Sequence, residues 1–378
     1  MNILMTADTV GGVWTYALDL IRTLPPHHYN VTLATMGAAP SRAQRREAAA
    51  LSHLHLCESS YKLEWMDEPW ADVEEAGHWL LQLSQAVQPA IVHLNGYVHA
   101  ALPWQAPVIV VAHSCVASWW RAVKGEAAPP TYDRYRCCVA AGLRAANLVV
   151  APTQAMLAAL VQEYGPLRRT RVIANGRDAS CFAPAAAKEP FVFSVGRLWD
   201  EAKNVAALDA AAAKLAWPVR LAGAATHPGG AVLTLHHAQA EGVLTPQEIS
   251  QRLARASIFA LPARYEPFGL AVLEAALSGC ALVLGDIPSL RENWQRAALF
   301  VAPDDPHALH DALARLIDDA ATRQRLAAAA RDRAHHFTLR RMGEAYAACY
   351  GQEARQPKVH PMATRPASQP LRQFTYRE

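Results

Sequence analysis

Short apolar runs rich in β-branched residues recur along the chain, separated by longer stretches with helical periodicity. Such runs are the mark of strands in a parallel sheet covered by helices on both faces, where neither face needs polar side chains. In the first half the candidate strands are residues 2–6, 31–35, 91–95, 108–113, 148–151 and 171–174; in the second they are 191–196, 219–223, 232–235, 258–261, 281–284 and 299–301. Helix starts are readable between them: Thr153 after Pro152, Thr245 with Pro246 in the first turn and Glu248 completing a capping box, and Asp305 before Pro306. The pattern predicts an α/β chain with two parallel sheets.

At 378 residues, 52% hydrophobic and 18% charged, the chain has the material for two cores at ~150 residues per domain. The stretch 175–190, NGRDASCFAPAAAKEP, opens on a turn dipeptide and shows neither periodicity, so it reads as the linker. That places a first domain at 1–180 and a second at 181–337. Open parallel sheets bind ligands beyond the carboxyl ends of their strands, so two of them joined this way predict a cleft with a ligand surface on each side.

The formal charge, 36 − 33 = +3, excludes a polybasic nucleic-acid binder and an acidic disordered chain. The whole excess lies in residues 353–378, where Arg355, Lys358, Arg365, Arg372 and Arg377 face only Glu353 and Glu378 among four prolines. This segment is expected to be a largely disordered tail, with attraction to a membrane surface as its one candidate partner role. Seven cysteines without a CxxC pair fit reduced thiols. No leader pattern opens the chain and no apolar run reaches the ~20 residues of a membrane span. The expectation is a cytoplasmic protein, at most peripheral to the inner face of a membrane.

Three places could carry chemistry. After the first candidate strand come Gly11 and Gly12 at a strand-to-helix turn, either a tight turn or a place where a ligand approaches backbone amides. Trp14 stands where a nicotinamide-binding GxGxxG motif needs glycine, which argues against that cofactor. At the end of strand 191–196 come Arg197 and, six residues on at the expected start of a helix, Lys203, either solvated cations or a pair suited to a diphosphate. The strongest signal is PARYEPFGLAVLEAALSG, residues 262–279. Glu266 sits in a turn bounded by Pro267 and Gly269, and the amides of Phe268, Gly269 and Leu270 open the following helix, ready for an anion. Glu274 lies on that helix among Leu270, Val272, Leu273, Ala275 and Leu277, and a carboxylate in such company needs a partner.

The set formed by residues 196–204, by this carboxylate motif and by ANGRD at 174–178 resembles the retaining glycosyltransferase family 4 over residues 1–350. The resemblance implies the GT-B fold, two Rossmann-like domains facing a cleft, and a nucleotide-sugar donor with a hydroxyl acceptor on a glycan, a lipid-linked molecule or a small molecule. By the same resemblance Glu266 contacts the donor sugar, Glu274 the nucleotide ribose, and Arg197 with Lys203 the diphosphate, which they neutralise as it leaves. His113, after strand 108–113, would stand near the reacting centre, and Gly12 would approach the donor phosphates. Residues 338–351 would be the helix that crosses back to the first domain. Val243 and Leu244 would pass the base without distinguishing UDP, GDP or ADP. Candidate acceptor contacts are Gly11, Trp14, Tyr97, Trp119 and Trp120, with core packing as the competing account for the aromatics.

No Asp-x-Asp or HExxH spacing appears, so no metal and no cofactor is expected; cations and helix amides take the metal's place. Two departures from the family pattern stand out. One residue more than usual separates Arg197 from Lys203, and GDIPSLREN at 285–293 replaces the common GG-x-PE, so a donor sugar is not carried over. A catalytically silent nucleotide-sugar-binding subunit and a sugar phosphorylase or epimerase on the same fold are the alternatives. A purely structural protein would not need cations, glycines and carboxylates at strand ends on both sides of one cleft.

Overall fold

The structure, a computed structural model, describes residues 1–227 and 230–355. Strands β1 (Asn2–Asp8), β2 (Asn30–Met36), β3 (Leu54–Glu58), β4 (Ile91–Leu94), β5 (Val108–Val111), β6 (Leu148–Ala151) and β7 (Thr170–Val172) form one sheet, in the order β3-β2-β1-β4-β5-β6-β7. A second sheet joins β8 (Glu189–Val195), β9 (Val219–Ala222), β10 (Gln239–Gly242), β11 (Ala256–Leu261), β12 (Ala281–Gly285) and β13 (Ala298–Val301) in the order β10-β9-β8-β11-β12-β13. The pairs at the centre of each sheet are parallel, as burial on both faces demands. Strands β5, β6 and β11 are buried at every position. In each sheet the strand order reverses once, between β1 and β4 and between β8 and β11, and a crevice opens there at the carboxyl ends.

The sheet edges depart from the sequence expectation. Residues 232–235 form no strand; Val232 makes an isolated bridge with Thr226 and is mostly exposed. The edge strand is instead the polar QAEG of β10, and β3 adds a strand that the apolar runs did not reveal. An edge strand is exposed on one side and needs no continuous apolar run, so hydrophobicity is blind to it.

Of the expected linker 175–190, residues 175–188 are irregular apart from a short 3-10 turn, Ala179–Cys181, capped by the Asp178 carboxylate, and the last two residues already open β8. Its start runs beside residues 337–338. Arg177 N–H donates to Phe337 O at 3.1 Å and bridges to Thr338, and a Cβ on Gly176 would come within 2.4 Å of Thr338 O, so only glycine fits there.

Thr338 caps the final helix, Leu339–Ala354, which packs Met342, Tyr346, Cys349 and Tyr350 into the core of the first sheet with Ile3, Met5 and Tyr16. The expected tail starts inside this helix. Glu353 is buried and pairs with Arg169 at 2.8 Å, so residues 353–355 belong to the folded body. The rest of that tail, 356–378, lies outside the described residues. Among the described residues no helix is long and apolar enough to cross a membrane.

Candidate active site

The second sheet supplies full charges. Beyond β8, Arg197 pairs with Asp200 at 2.9 Å, and Asp200 also caps a 3-10 turn, Glu201–Lys203. This turn absorbs the extra residue between Arg197 and Lys203. Lys203 is therefore not at a helix start, as its spacing implied; it ends the turn, and Asn204, in the left-handed region at φ 57°, reverses the chain into the helix Val205–Ala212. Two contacts clamp the turn to the loop after β11: Arg264 N–H donates to Ala202 O at 2.8 Å, and Asn204 Nδ2 to Pro262 O at 2.9 Å. The clamp brings Lys203 Nζ to 2.5 Å from Glu266 Oε2, both side chains being mostly buried.

Gly269 adopts φ 88°, a conformation that costs glycine nothing, and turns the chain into the helix Leu270–Leu277. Phe268 points away from the cleft into the core against Phe337 and Trp294, so only its backbone is available to a ligand. Glu274 faces Arg177, whose Nε stands 2.9 Å from Glu274 Oε1, while Arg177 Nη1 donates to Asp19 on the helix Gly12–Thr23 of the first half. Burial raises the Glu274 carboxyl above the usual range, and Arg177 opposes the shift.

The first sheet supplies neutral hydrogen bonds. Asn95 Nδ2 donates to Thr6 O at 2.7 Å, which leaves its Oδ1 as the acceptor for His113 Nε2 at 2.8 Å. His113 thus carries its proton on Nε2 and keeps Nδ1 as an acceptor. Burial pushes the His113 pKa down to about 3 and that of His93 to about 4, so both imidazoles are neutral near pH 7. Asp8, at the end of β1, accepts from Val10 N–H at 3.1 Å. Burial raises its carboxyl, against the opposing charge of Arg197 from the other half. Gly11 and Gly12 are exposed at the start of their helix, and a Cβ on Gly12 would lie 3.4 Å from Leu270 Cδ1. Two helix N-termini, at Gly12 and at Leu270, therefore meet across the cleft, and each is favourable to an anion.

Several expected acceptor contacts are placed elsewhere. Trp14 is buried, with Nε1 donating to Glu47 Oε2 at 3.0 Å, and Tyr97 is buried with its hydroxyl on Ser114 O at 2.7 Å; neither ring offers a face to a sugar. Trp119 and Trp120 are half-buried at the seam between the halves. Trp119 Nε1 donates to Asp200 Oδ1 at 3.2 Å, and Trp120 stacks edge-on with its neighbour. The seam continues through Lys124 to Glu201 at 2.6 Å and through the Tyr265 hydroxyl, which accepts from Cys115 N–H at 3.0 Å. Glu292 closes it by capping the helix Gln154–Tyr164 through the amides of Gln154 and Ala155. Val243 is exposed beyond β10, and Leu244 packs against the core of the second sheet.

Sequence reasoning missed Asp8, Asn95, Arg177 and Glu64. Asp8 lies three residues before Gly11 of the glycine turn, a signal that was there to read. Glu64 comes from the loop after β3, accepts the amides of Tyr97 and Val98 at 3.0–3.2 Å, and is pushed up to about 7 by burial; nothing in its local sequence marks it.

The model of Glycosyltransferase Family 4 matches residues 10–180, and that of Glycosyl transferases group 1 matches residues 189–319. The chain belongs to glycosyltransferase family 4. Glycogen synthase of Mycobacterium tuberculosis is 32% identical over 219 residues, which is 50% of each chain, so the chain spans about half the length of that curated relative. Among solved structures, sucrose-phosphate synthase from Thermosynechococcus elongatus matches with a TM-score of 0.79 at 19% identity, over 93% of this chain and 98% of that one. Anabaena HepE in complex with UDP-glucose matches with a TM-score of 0.74 at 18% identity, over 93% and 100%. These likenesses establish the fold, which for this glycosyltransferase family member is GT-B.

Proposed function

We propose that the protein is a retaining glycosyltransferase that moves a sugar from a nucleotide-sugar donor to a hydroxyl acceptor. The observation that carries this reading is the meeting of two cations and two helix N-termini at the switch points of both sheets, where a diphosphate needs them. Arg197 and Lys203 neutralise the leaving diphosphate, helped by the amides at Gly269 and Leu270. Lys203 is a point charge on a flexible stem, so it shifts from Glu266 to a phosphate oxygen as the donor enters. Glu266, released, accepts from the donor sugar's hydroxyls, and Glu274 from those of the ribose.

The acceptor hydroxyl attacks from the face that the diphosphate leaves, and the departing phosphate oxygen takes its proton. This route needs no protein base, which agrees with a His113 held neutral and acting only as a hydrogen-bond partner. Charge neutralisation falls to side chains and amides, and no metal is called for in the reaction as drawn. The protein works in the cytoplasm, with membrane contact at most peripheral.

The test is a thermal-shift screen of UDP, GDP and ADP sugars, beginning with UDP-glucose because HepE was solved with it, followed by NMR of the sugar released in slow donor hydrolysis. We expect one nucleotide series to raise the melting temperature and the released sugar to keep its anomeric configuration. Absence of binding to every nucleotide sugar would overturn the reading, and an inverted anomer would overturn retention.

A further inference from the structure

Arg177 enters the site from the segment between the sheets, where the sequence NGRD offers only a turn. Its backbone is fixed beside Phe337 and Thr338, and its guanidinium lies 5.1 Å from the centre of the Phe182 ring. From there it joins the halves. Nη1 donates to Asp19, which also pairs with Arg22 at 2.7 Å, and Nε stands 2.9 Å from Glu274 Oε1. The result is a row of alternating charge, Arg22, Asp19, Arg177 and Glu274, with only 14% of the Arg177 and Glu274 side chains exposed.

The last contact has an informative geometry. Although Nε is close to Oε1, its N–H lies off the line of a good hydrogen bond, so charge is the larger part of the attraction. Arg177 thereby stabilises the Glu274 carboxylate while most of its lone pairs stay available to hydroxyl donors. A buried carboxylate deprived of its cation takes up a proton instead.

We propose that Arg177 is a positioning residue of the donor site, one that keeps Glu274 ionised for the hydroxyls of the nucleotide ribose and, through Asp19, ties that carboxylate to the first half of the molecule. The inference rests on the reading of Glu274 as a ribose-binding group. The groups that face Glu274 are Arg177 from the linker and Asp19 from the helix Gly12–Thr23; burial and Asp19 both raise its carboxyl, and Arg177 is the opposing charge. Burial works against the Arg177 charge in turn, and Glu274 with Asp19 more than restores it.

The experiment is calorimetric titration with UDP, and with GDP and ADP in parallel, over roughly pH 6 to 8, where ordinary carboxylates stay ionised. Wild type provides the reference that cancels the titration of the diphosphate itself. In Arg177→Met the affinity relative to wild type should fall as the pH drops, by up to about tenfold per pH unit once Glu274 titrates. Arg177→Lys should restore a constant ratio. A loss equal at every pH would mark Arg177 as merely structural and overturn the proposal, as would an unchanged affinity. If Arg177→Met does not fold, Arg177→Gln carries the same test. Glu274→Gln separates the two layers: unchanged affinity in that variant sinks the ribose reading, whereas a weakened one beside a constant Arg177→Met ratio sinks only the role of Arg177.

Discussion

Beyond β8 and β11 the cleft is lined by full charges in contact, Arg197 with Asp200 and Lys203 with Glu266. Near the carboxyl ends of β1, β4 and β5, the equivalent positions of the other sheet, Thr6, Asn95 and His113 are joined by neutral hydrogen bonds. The two sheets share one strand order about their switch points, so topology fixes where a site forms and leaves its chemistry to the side chains. In the proposed reaction, ions serve where a diphosphate is neutralised. Dipoles serve on the side that the same reading gives to a sugar hydroxyl, and there burial keeps the imidazoles from becoming cations.

The charged side breaks most severely at Glu266. Glu266→Gln removes the partner of Lys203 and, on the proposed reading, a contact to the donor sugar, and turnover should fall by about 100- to 1,000-fold, measured as kcat, with donor affinity changed far less. Glu274→Ala should instead act on binding, weakening nucleotide-sugar affinity by about 10- to 100-fold, or roughly 1.4 to 2.8 kcal/mol. Unchanged affinity by calorimetry would contradict the assignment of that carboxylate.

The neutral side is probed by pH. The folded protein holds His93 at a pKa of about 4, below its ordinary 6.5, so the unfolded chain takes a proton that the native one refuses. Its contribution to stability is complete above about pH 6.5 and is lost as the pH falls toward 4, amounting to about 2 kcal/mol by pH 5. Thermal melts at both pH values should show that slope, and His93→Gln should lessen it without abolishing it, because His113 and His99 are depressed by burial as well. The smallest effect concerns the end of the chain. Removing 356–378 should leave stability and donor binding unchanged, whereas removing 353–378 exposes Arg169 without Glu353 and should cost about 1 kcal/mol in a denaturant melt.

The central strands were legible because burial on both faces forces an uninterrupted apolar run, and the three helix starts because a cap is a local device. The carboxylate motif was legible for a related reason: Pro267 and Gly269 punctuate it, and Glu274 is conspicuous on an apolar helix. The contact between Arg177 and Asp19 joins residues 158 positions apart, and no window of sequence contains both. Trp14 and Tyr97 misled because an aromatic near a strand end faces the cleft or the core according to one turn of helix or loop, a choice made by Glu47 and Ser114, the groups that accept their polar hydrogens.

The close approach of Gly176 to Thr338 bears on how the halves move. The chain passes between them twice, and the two passages lie side by side, laced together by the Arg177 bridge. Two parallel threads on one edge act like the pin of a door: they permit a swing about their common line and resist both sliding and twisting. A swing of the halves about that line would part Gly12 from Leu270 and return them to the same contact on closing.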